Sequence, residues 1–226
     1  MAPIVKICGL STSSTLEAAL RAGADMVGFV FFPKSPRHVG FEAAHALGEQ
    51  ARGRARIVAL TVDADDAMLA LIVGALAPDL LQLHGRESPA RVQAIRARFG
   101  RATMKAIGVA APEDLAAARA YDDGAADMLL VDAKPPKGAV LPGGNGLAFD
   151  WRLARDLSFA TPWLLSGGLD PANVGEAIGL TGAGGVDVSS GVESAPGIKD
   201  EGRIAAFVAA ARAAFAHASE GVQGVH

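Results

Sequence analysis

Short apolar runs alternate with Ala-rich stretches from one end of this chain to the other, and that alternation restricts its fold more than any other feature. The runs Ile4–Cys8, Met26–Phe31, Arg56–Thr61, Leu80–Leu83, Thr103–Ile107, Asp127–Val131, Trp163–Ser166 and Val186–Ser189 read as strands. Each is nearly all apolar, as expected of parallel strands covered on both faces. Helices are expected at Ser14–Arg21, Phe41–Arg52, Asp65–Ala75, Pro89–Phe99, Pro112–Ala120, Trp151–Asp156, Pro171–Ile178 and Ile204–His217. Ser88 before Pro89, Asp150 before Trp151 and Asp170 before Pro171 are N-cap candidates, two of them followed by proline at the first helical position. Eight βα units in 226 residues point to a single-domain (β/α)8 TIM barrel of the α/β class. An open doubly wound sheet is the alternative. Residues 1–226 read as one domain, with a tail at 219–226 expected to fray.

The formal net charge of -3 offers no electrostatic footprint for nucleic acid or an anionic membrane. One cysteine rules out an internal disulfide framework and fits a reducing compartment. The opening Met1-Ala2-Pro3 lacks a basic n-region, and no run is long and apolar enough to span a bilayer. The expectation is a soluble cytoplasmic protein that contacts neither membrane nor nucleic acid. The longest irregular stretch, Ala133–Ala148, is rich in Pro, Lys and Gly, and loops of that length in compact domains are usually functional or disordered.

In a parallel barrel the reactive groups project from the carboxyl ends of the strands. Those ends offer Cys8, then Lys34-Ser35-Pro36-Arg37, Gln82 and His84, Asp132, Ser166-Gly167-Gly168, and Asp187 with Ser189-Ser190-Gly191. Cys8 is a base candidate or a small buried hydrophobe. Asp132 is an acid candidate or a turn residue. Lys6 shares a strand face with Cys8, so its ammonium either favours the thiolate or pairs with a buried carboxylate. Gly167, Gly168, Ser189, Ser190 and Gly191 follow the last two strands, where barrels bind phosphate through loop amides. Gly143-Gly144-Asn145-Gly146 offers a third wall of such a site. Arg37 can hold a carboxylate in a bidentate fork or stand as a solvated loop charge. The five histidines show no metal-ligand spacing, Cys8 and His84 alone make no zinc site, and no Walker or dinucleotide motif is present. No metal is expected.

The segments Lys6-Ile7-Cys8-Gly9, Gly28-Phe29-Val30-Phe31 with Ser35-Pro36-Arg37, Leu81-Gln82-Leu83-His84-Gly85, Leu130-Val131-Asp132, Ser166-Gly167-Gly168-Leu169 and Val186–Glu193 resemble, in order, those of the phosphoribosylanthranilate isomerases of tryptophan biosynthesis. The resemblance implies a cofactor-free Amadori rearrangement of the small molecule phosphoribosylanthranilate to an open-chain aminodeoxyketose phosphate. It implies that Cys8 is the general base and Asp132 the general acid. Arg37 would clamp the anthranilate carboxylate, and Gln82, His84 and Asp187 would line the substrate cavity. Backbone contacts to phosphate are implied at Gly144 and Gly146. Monomer and homodimer both remain open. Two positions depart from the family pattern. The third strand reads Ala59-Leu60-Thr61-Val62-Asp63, and Asn145 stands where threonine is usual, so no side-chain role is expected of it. The acid role requires Asp132 to hold its proton, which its apolar strand and the substrate's anionic groups would favour. Two other readings are a ribotide isomerase of histidine synthesis, whose base is usually a carboxylate, and a non-catalytic phosphate-ligand barrel with Cys8 as a redox sensor.

Overall fold

The structure, a computed structural model, describes residues 2–135, 138, 141, 143, 144, 146, 149–155 and 157–223, with side chains up to Ala218. Eight strands form a closed parallel barrel in chain order: β1 (Ile4–Cys8), β2 (Met26–Phe31), β3 (Arg56–Thr61), β4 (Leu80–Leu83), β5 (Ala102–Val109), β6 (Met128–Ala133), β7 (Trp163–Leu165) and β8 (Gly185–Val188). Closure comes from β8 pairing with β1, Ile4 opposite Gly185 through Ile7 opposite Val188. The open-sheet alternative is therefore excluded.

The lumen is filled by Met26, Val58, Leu80, Met104, Ala106, Met128, Leu130 and Leu164. Fully burying one such Leu or Met side chain is worth about 1.5–3 kcal/mol. Side chains two residues further along the same strands share that face. Gln82 follows Leu80 and Asp132 follows Leu130, so a polar layer stands on an apolar floor. The opposite strand faces pack Val5, Ile7, Val27, Phe29, Ile57, Ala59, Leu81 and Leu129 against the helices.

Asp25, Asp79 and Asp127 each stand one residue before an even-numbered strand and bracket the strand before it. Their carboxylates accept from the backbone N–H of Val5 at 2.6 Å, Ile57 at 2.7 Å and Thr103 at 2.8 Å. Their own N–H groups donate to the carbonyls of the same three residues. Asp127, expected as a strand residue, is thus a bracket below β6. The strand instead continues through Asp132 to Ala133, paired with β5 as far as Val109.

The helices are α1 (Ser13–Ala22), α2 (Phe41–Ala51), α3 (Asp66–Leu76), α4 (Pro89–Phe99), α5 (Pro112–Asp122), α6 (Val174–Thr181) and α7 (Glu201–Gln223). Thr12, Asp65 and Ser88 cap the first turns of α1, α3 and α4 with their side-chain oxygens. Three expectations need correction. The sixth connection carries a 3-10 turn, Trp151–Ala154, capped by Asp150; Asp156 lies outside the described residues. Pro171 does not open α6: Asp170 Oδ1 accepts from Ala172 and Asn173 N–H instead, which closes a turn ahead of the helix. α7 runs through Gln223, so the stretch expected to fray from Ser219 is helical that far, and residues 224–226 lie outside the description. Between β8 and α7 sits a two-stranded hairpin absent from the sequence reading, β9 (Glu193–Ala195) and β10 (Ile198–Lys199). Among the described residues no helix is long and apolar enough to cross a membrane.

Candidate active site

A cavity open to solvent occupies the carboxyl-terminal mouth of the barrel. Cys8, Arg37, Gln82, His84, Asp132 and Asp187 all line it. So do the glycine and serine loops at Gly144, Gly146, Gly167, Gly168, Ser189 and Ser190. Residues from β1, β4, β6 and β8 and from the loops after β2, β6, β7 and β8 therefore converge on one space, as their strand-end positions require. Asn145 lies outside the described residues.

The thiol of Cys8 is 3% exposed. Gly28, opposite it on β2, is what gives it room: a Cβ there would stand 2.9 Å from Cys8 Sγ and 3.3 Å from Lys6 Nζ. Any side chain at position 28 would displace the thiol or the ammonium. Lys6 is fully buried and donates to Asp187 Oδ1 at 2.9 Å. Burial alone would lower the Lys6 pKa, but the Asp187 carboxylate and the nearby thiol more than offset it, and the ammonium is held in its charged form. Both sequence alternatives for Lys6 are thus realised, since it faces the thiol and pairs with a carboxylate. Burial pushes the Cys8 pKa up; Lys6 and Lys199 pull it down, Asp187 pushes it up again, and the balance stays raised.

Asp132 reaches the mouth because β6 extends past Val131. Its Oδ1 accepts from Ala133 N–H at 2.8 Å, and its Oδ2 lies 3.3 Å from His84 Nε2. The other ring nitrogen of His84 is 3.1 Å from Gln82 Nε2. A chain of three side chains therefore runs from the lumen to the carboxyl group. Gln82 Oε1 is buried without a partner among the described residues. Gly143 lies directly over this chain: a Cβ on it would come within 2.6 Å of His84 Nε2 and 2.7 Å of Asp132 Oδ2.

The anion side is built by β7, β8 and their loops. Asn173 Nδ2 donates to Gly168 O at 2.9 Å and its Oδ1 accepts from Asp170 N–H at 2.8 Å, which ties the Gly167-Gly168 loop to the start of α6. Gly191 does not line the cavity, contrary to expectation. A Cβ there would stand 1.9 Å from Leu169 O, so the residue is glycine because the two loops pack backbone to backbone. Arg37 is 5% exposed, not a solvated loop charge, and its Nε and Nη2 donate to the two carboxylate oxygens of Glu193 at 2.7 and 2.9 Å. Lys199 Nζ donates to Ser189 O at 2.8 Å, to Ser189 Oγ at 3.2 Å and to Glu193 Oε1 at 2.8 Å. Burial pushes the Glu193 pKa up, but hydrogen bonds from Arg37 and the charge of Lys199 outweigh it and hold the carboxyl below its ordinary range.

Sequence reasoning missed Lys199 and the role of Glu193, since only a hairpin formed in three dimensions brings them to Arg37. It also missed a buried clamp outside the lumen. Lys105 on β5 donates to Leu83 O, Gly85 O and Glu87 Oε2, and Glu87 accepts from Asp63 and Gly85 N–H. That clamp fixes the chain on both sides of His84. Among the described residues no three His, Cys, Asp or Glu side chains are grouped as a bound metal ion would need.

Fold and cavity together define a β/α-barrel enzyme class, one whose mouth gathers a thiol, a carboxyl group, a guanidinium and glycine-serine loops. Residues 5–210 match the family described as N-(5'-phosphoribosyl)anthranilate (PRA) isomerase. An N-(5'-phosphoribosyl)anthranilate isomerase from Rhodopseudomonas palustris (strain HaA2) is 62% identical over 213 residues, covering 94% of this chain and 97% of that one. The phosphoribosyl anthranilate isomerase of Thermotoga maritima superposes with a TM-score of 0.82 at 33% identity, over 94% of this chain and all of that one. A further isomerase structure, in complex with reduced 1-(o-carboxyphenylamino)-1-deoxyribulose 5-phosphate, superposes with a TM-score of 0.80 at 32% identity over the same shares. The chain belongs to the N-(5'-phosphoribosyl)anthranilate isomerase family.

Proposed function

We propose that this chain isomerises N-(5'-phosphoribosyl)anthranilate to 1-(2-carboxyphenylamino)-1-deoxyribulose 5-phosphate, a step of tryptophan biosynthesis. The observation that carries the reading is a single cavity, in a member of this family, lined by a thiol, a carboxyl group, a guanidinium and two glycine-serine loops. The relative that holds a reduced form of that product shows a site of this fold accepting a ligand with a carboxylate at one end and a phosphate at the other.

The protonated carboxyl of Asp132 gives its proton to the ribose ring oxygen as the bond from that oxygen to C1 breaks. The anthranilate nitrogen supplies the electron pair, leaving a C1 iminium. The Cys8 thiolate then takes the proton from C2, which the adjacent iminium has acidified. The electrons of that C–H bond become the C1–C2 double bond of an enolamine and neutralise the iminium. The enolamine tautomerises to the ketone as a proton leaves the C2 hydroxyl and C1 gains one. What supports Asp132 as the acid is its seat at the end of an apolar strand, with His84 able to exchange a hydrogen bond with Oδ2. What supports Cys8 as the base is a buried thiol with a raised pKa, which makes a strong base once ionised. The phosphate is assigned to the amides and hydroxyls at Gly144, Gly146, Gly167, Gly168, Ser189 and Ser190, and the anthranilate carboxylate to Arg37. Gln82, His84 and Asp187 complete the substrate wall.

Monomer and homodimer both remain compatible with this site. A free Cys8 suits the reducing cytoplasm. The test is turnover by the purified chain, followed as loss of substrate fluorescence; absence of turnover would defeat the reading. Arg37→Ala is expected to raise KM for phosphoribosylanthranilate by about tenfold to a hundredfold, the worth of one or two charge-assisted hydrogen bonds, with a smaller change in kcat. An unchanged KM would remove Arg37 from the carboxylate site.

A further inference from the structure

We propose that Glu193 is a positioning residue that fixes which anionic end of the substrate meets Arg37, an inference that rests on the reading of Arg37 as the carboxylate ligand. A guanidinium has five N–H donors. In Arg37, Nε and one Nη2 hydrogen are committed to the two oxygens of Glu193, and Nη2 also reaches Gly144 O at 3.2 Å. Among the described residues nothing accepts from Nη1, which lies beside the cavity-lining Gly144. The bidentate edge that would grip a phosphate or carboxylate is therefore occupied, and the ligand meets the narrow Nη1 end.

Glu193 also governs the second cation. Lys199 has three donors, one on Glu193 and two on Ser189. Its ammonium stands behind the loop rather than in the cavity, and Ser189 Oγ, already accepting, keeps its hydrogen for a ligand. Gly197 N–H donates to Glu193 Oε2 at 3.1 Å, and Arg203 Nη1 donates to Glu193 O, so β9 and β10 hold the carboxylate in place from behind. The substrate is anionic at both ends. Two unscreened cations this close would take either end, and half of such encounters would put C2 away from Cys8. One carboxylate between them makes the two sites unequal: an exposed guanidinium end for the carboxylate and a neutral-faced loop for the phosphate.

Glu193→Gln tests this on two substrates, phosphoribosylanthranilate and the phosphoribosyl derivative of aniline, which lacks the carboxylate. On the first substrate KM is expected to rise at least about tenfold with kcat within about threefold. On the second, wild type and variant should differ by less than about twofold. In an Arg37→Ala background the Glu193→Gln change should add less than about twofold on either substrate, because its effect runs through Arg37. Equal losses on both substrates, additivity with Arg37→Ala, or a fall in kcat alone would overturn the inference. If Glu193→Gln fails to fold, Glu193→Asp, which keeps the charge and withdraws it from Arg37, should show the same KM pattern. Failure of both to fold would assign Glu193 to the fold only and equally overturn it. A wild-type chain inactive on phosphoribosylanthranilate would instead defeat the assigned reaction, and this inference with it.

Discussion

Cys8→Ala should lower kcat by about a hundredfold or more while leaving KM for phosphoribosylanthranilate nearly unchanged. The thiol sits at the end of β1, 3% exposed, in a gap that Gly28 leaves open. Lys6 and Lys199 supply positive charge close by, yet burial leaves the thiol more reluctant to ionise than a free cysteine. Only the small ionised fraction acts as the base, and the adjacent iminium makes the C2 proton acidic enough for it to take. Cys8→Ser should fare no better, because an alkoxide is unreachable near neutral pH. The alternative role, a small buried hydrophobe, has a different signature. Alanine fills most of the same space, so a packing role would cost some thermal stability and leave kcat intact. Steady-state kinetics alongside a melting curve separates the two.

Asp132→Asn should also cost about a hundredfold or more in kcat. The substitution keeps size and shape. An amide oxygen can still accept from Ala133 N–H, as Oδ1 does at 2.8 Å, and an amide nitrogen can still meet His84 Nε2, now 3.3 Å from Oδ2. The variant should fold and bind as the wild type does. What it lacks is a transferable proton for the ring oxygen, so the loss belongs in kcat and not in KM. Wild-type kcat in Asp132→Asn would remove the carboxyl group from the chemistry.

The strand order and the polar mouth were legible because both follow from local pattern. Short apolar runs ending in Cys8, Gln82, Asp132 and Ser189 can only close with those residues at one rim once the strands are parallel. What the sequence concealed is long-range or finely geometric. Asp127 reads as the first residue of a strand, and Asp25 and Asp79 carry no signal, until the neighbouring strand supplies an N–H for each. The hairpin that joins Glu193 and Lys199 to Arg37 is too short for any periodicity to announce. Gly191 reads as a phosphate loop glycine, and its contact with Leu169 O adds a packing reason for glycine that the sequence does not show. Strand parity put Lys6 beside Cys8, but parity says nothing of Asp187 opposite Lys6 on the neighbouring strand β8, or of the desolvation that outweighs the charge. The turn at Trp151–Ala154 failed as a full helix because its apolar residues span only one turn.

The sharpest test is the pH dependence of the residual kcat/KM in the two variants, measured between about pH 6 and pH 9, a range below the ionisation of a raised thiol, where each step in pH enlarges the small thiolate fraction. With Asp132→Asn the Cys8 thiolate remains the base, and the residual rate should climb with pH, up to tenfold per unit. With Cys8→Ala no thiolate remains, and that climb should be absent. A climb in Asp132→Asn and none in Cys8→Ala is the expected result; a climb in both variants, or in neither, would contradict Cys8 as the base.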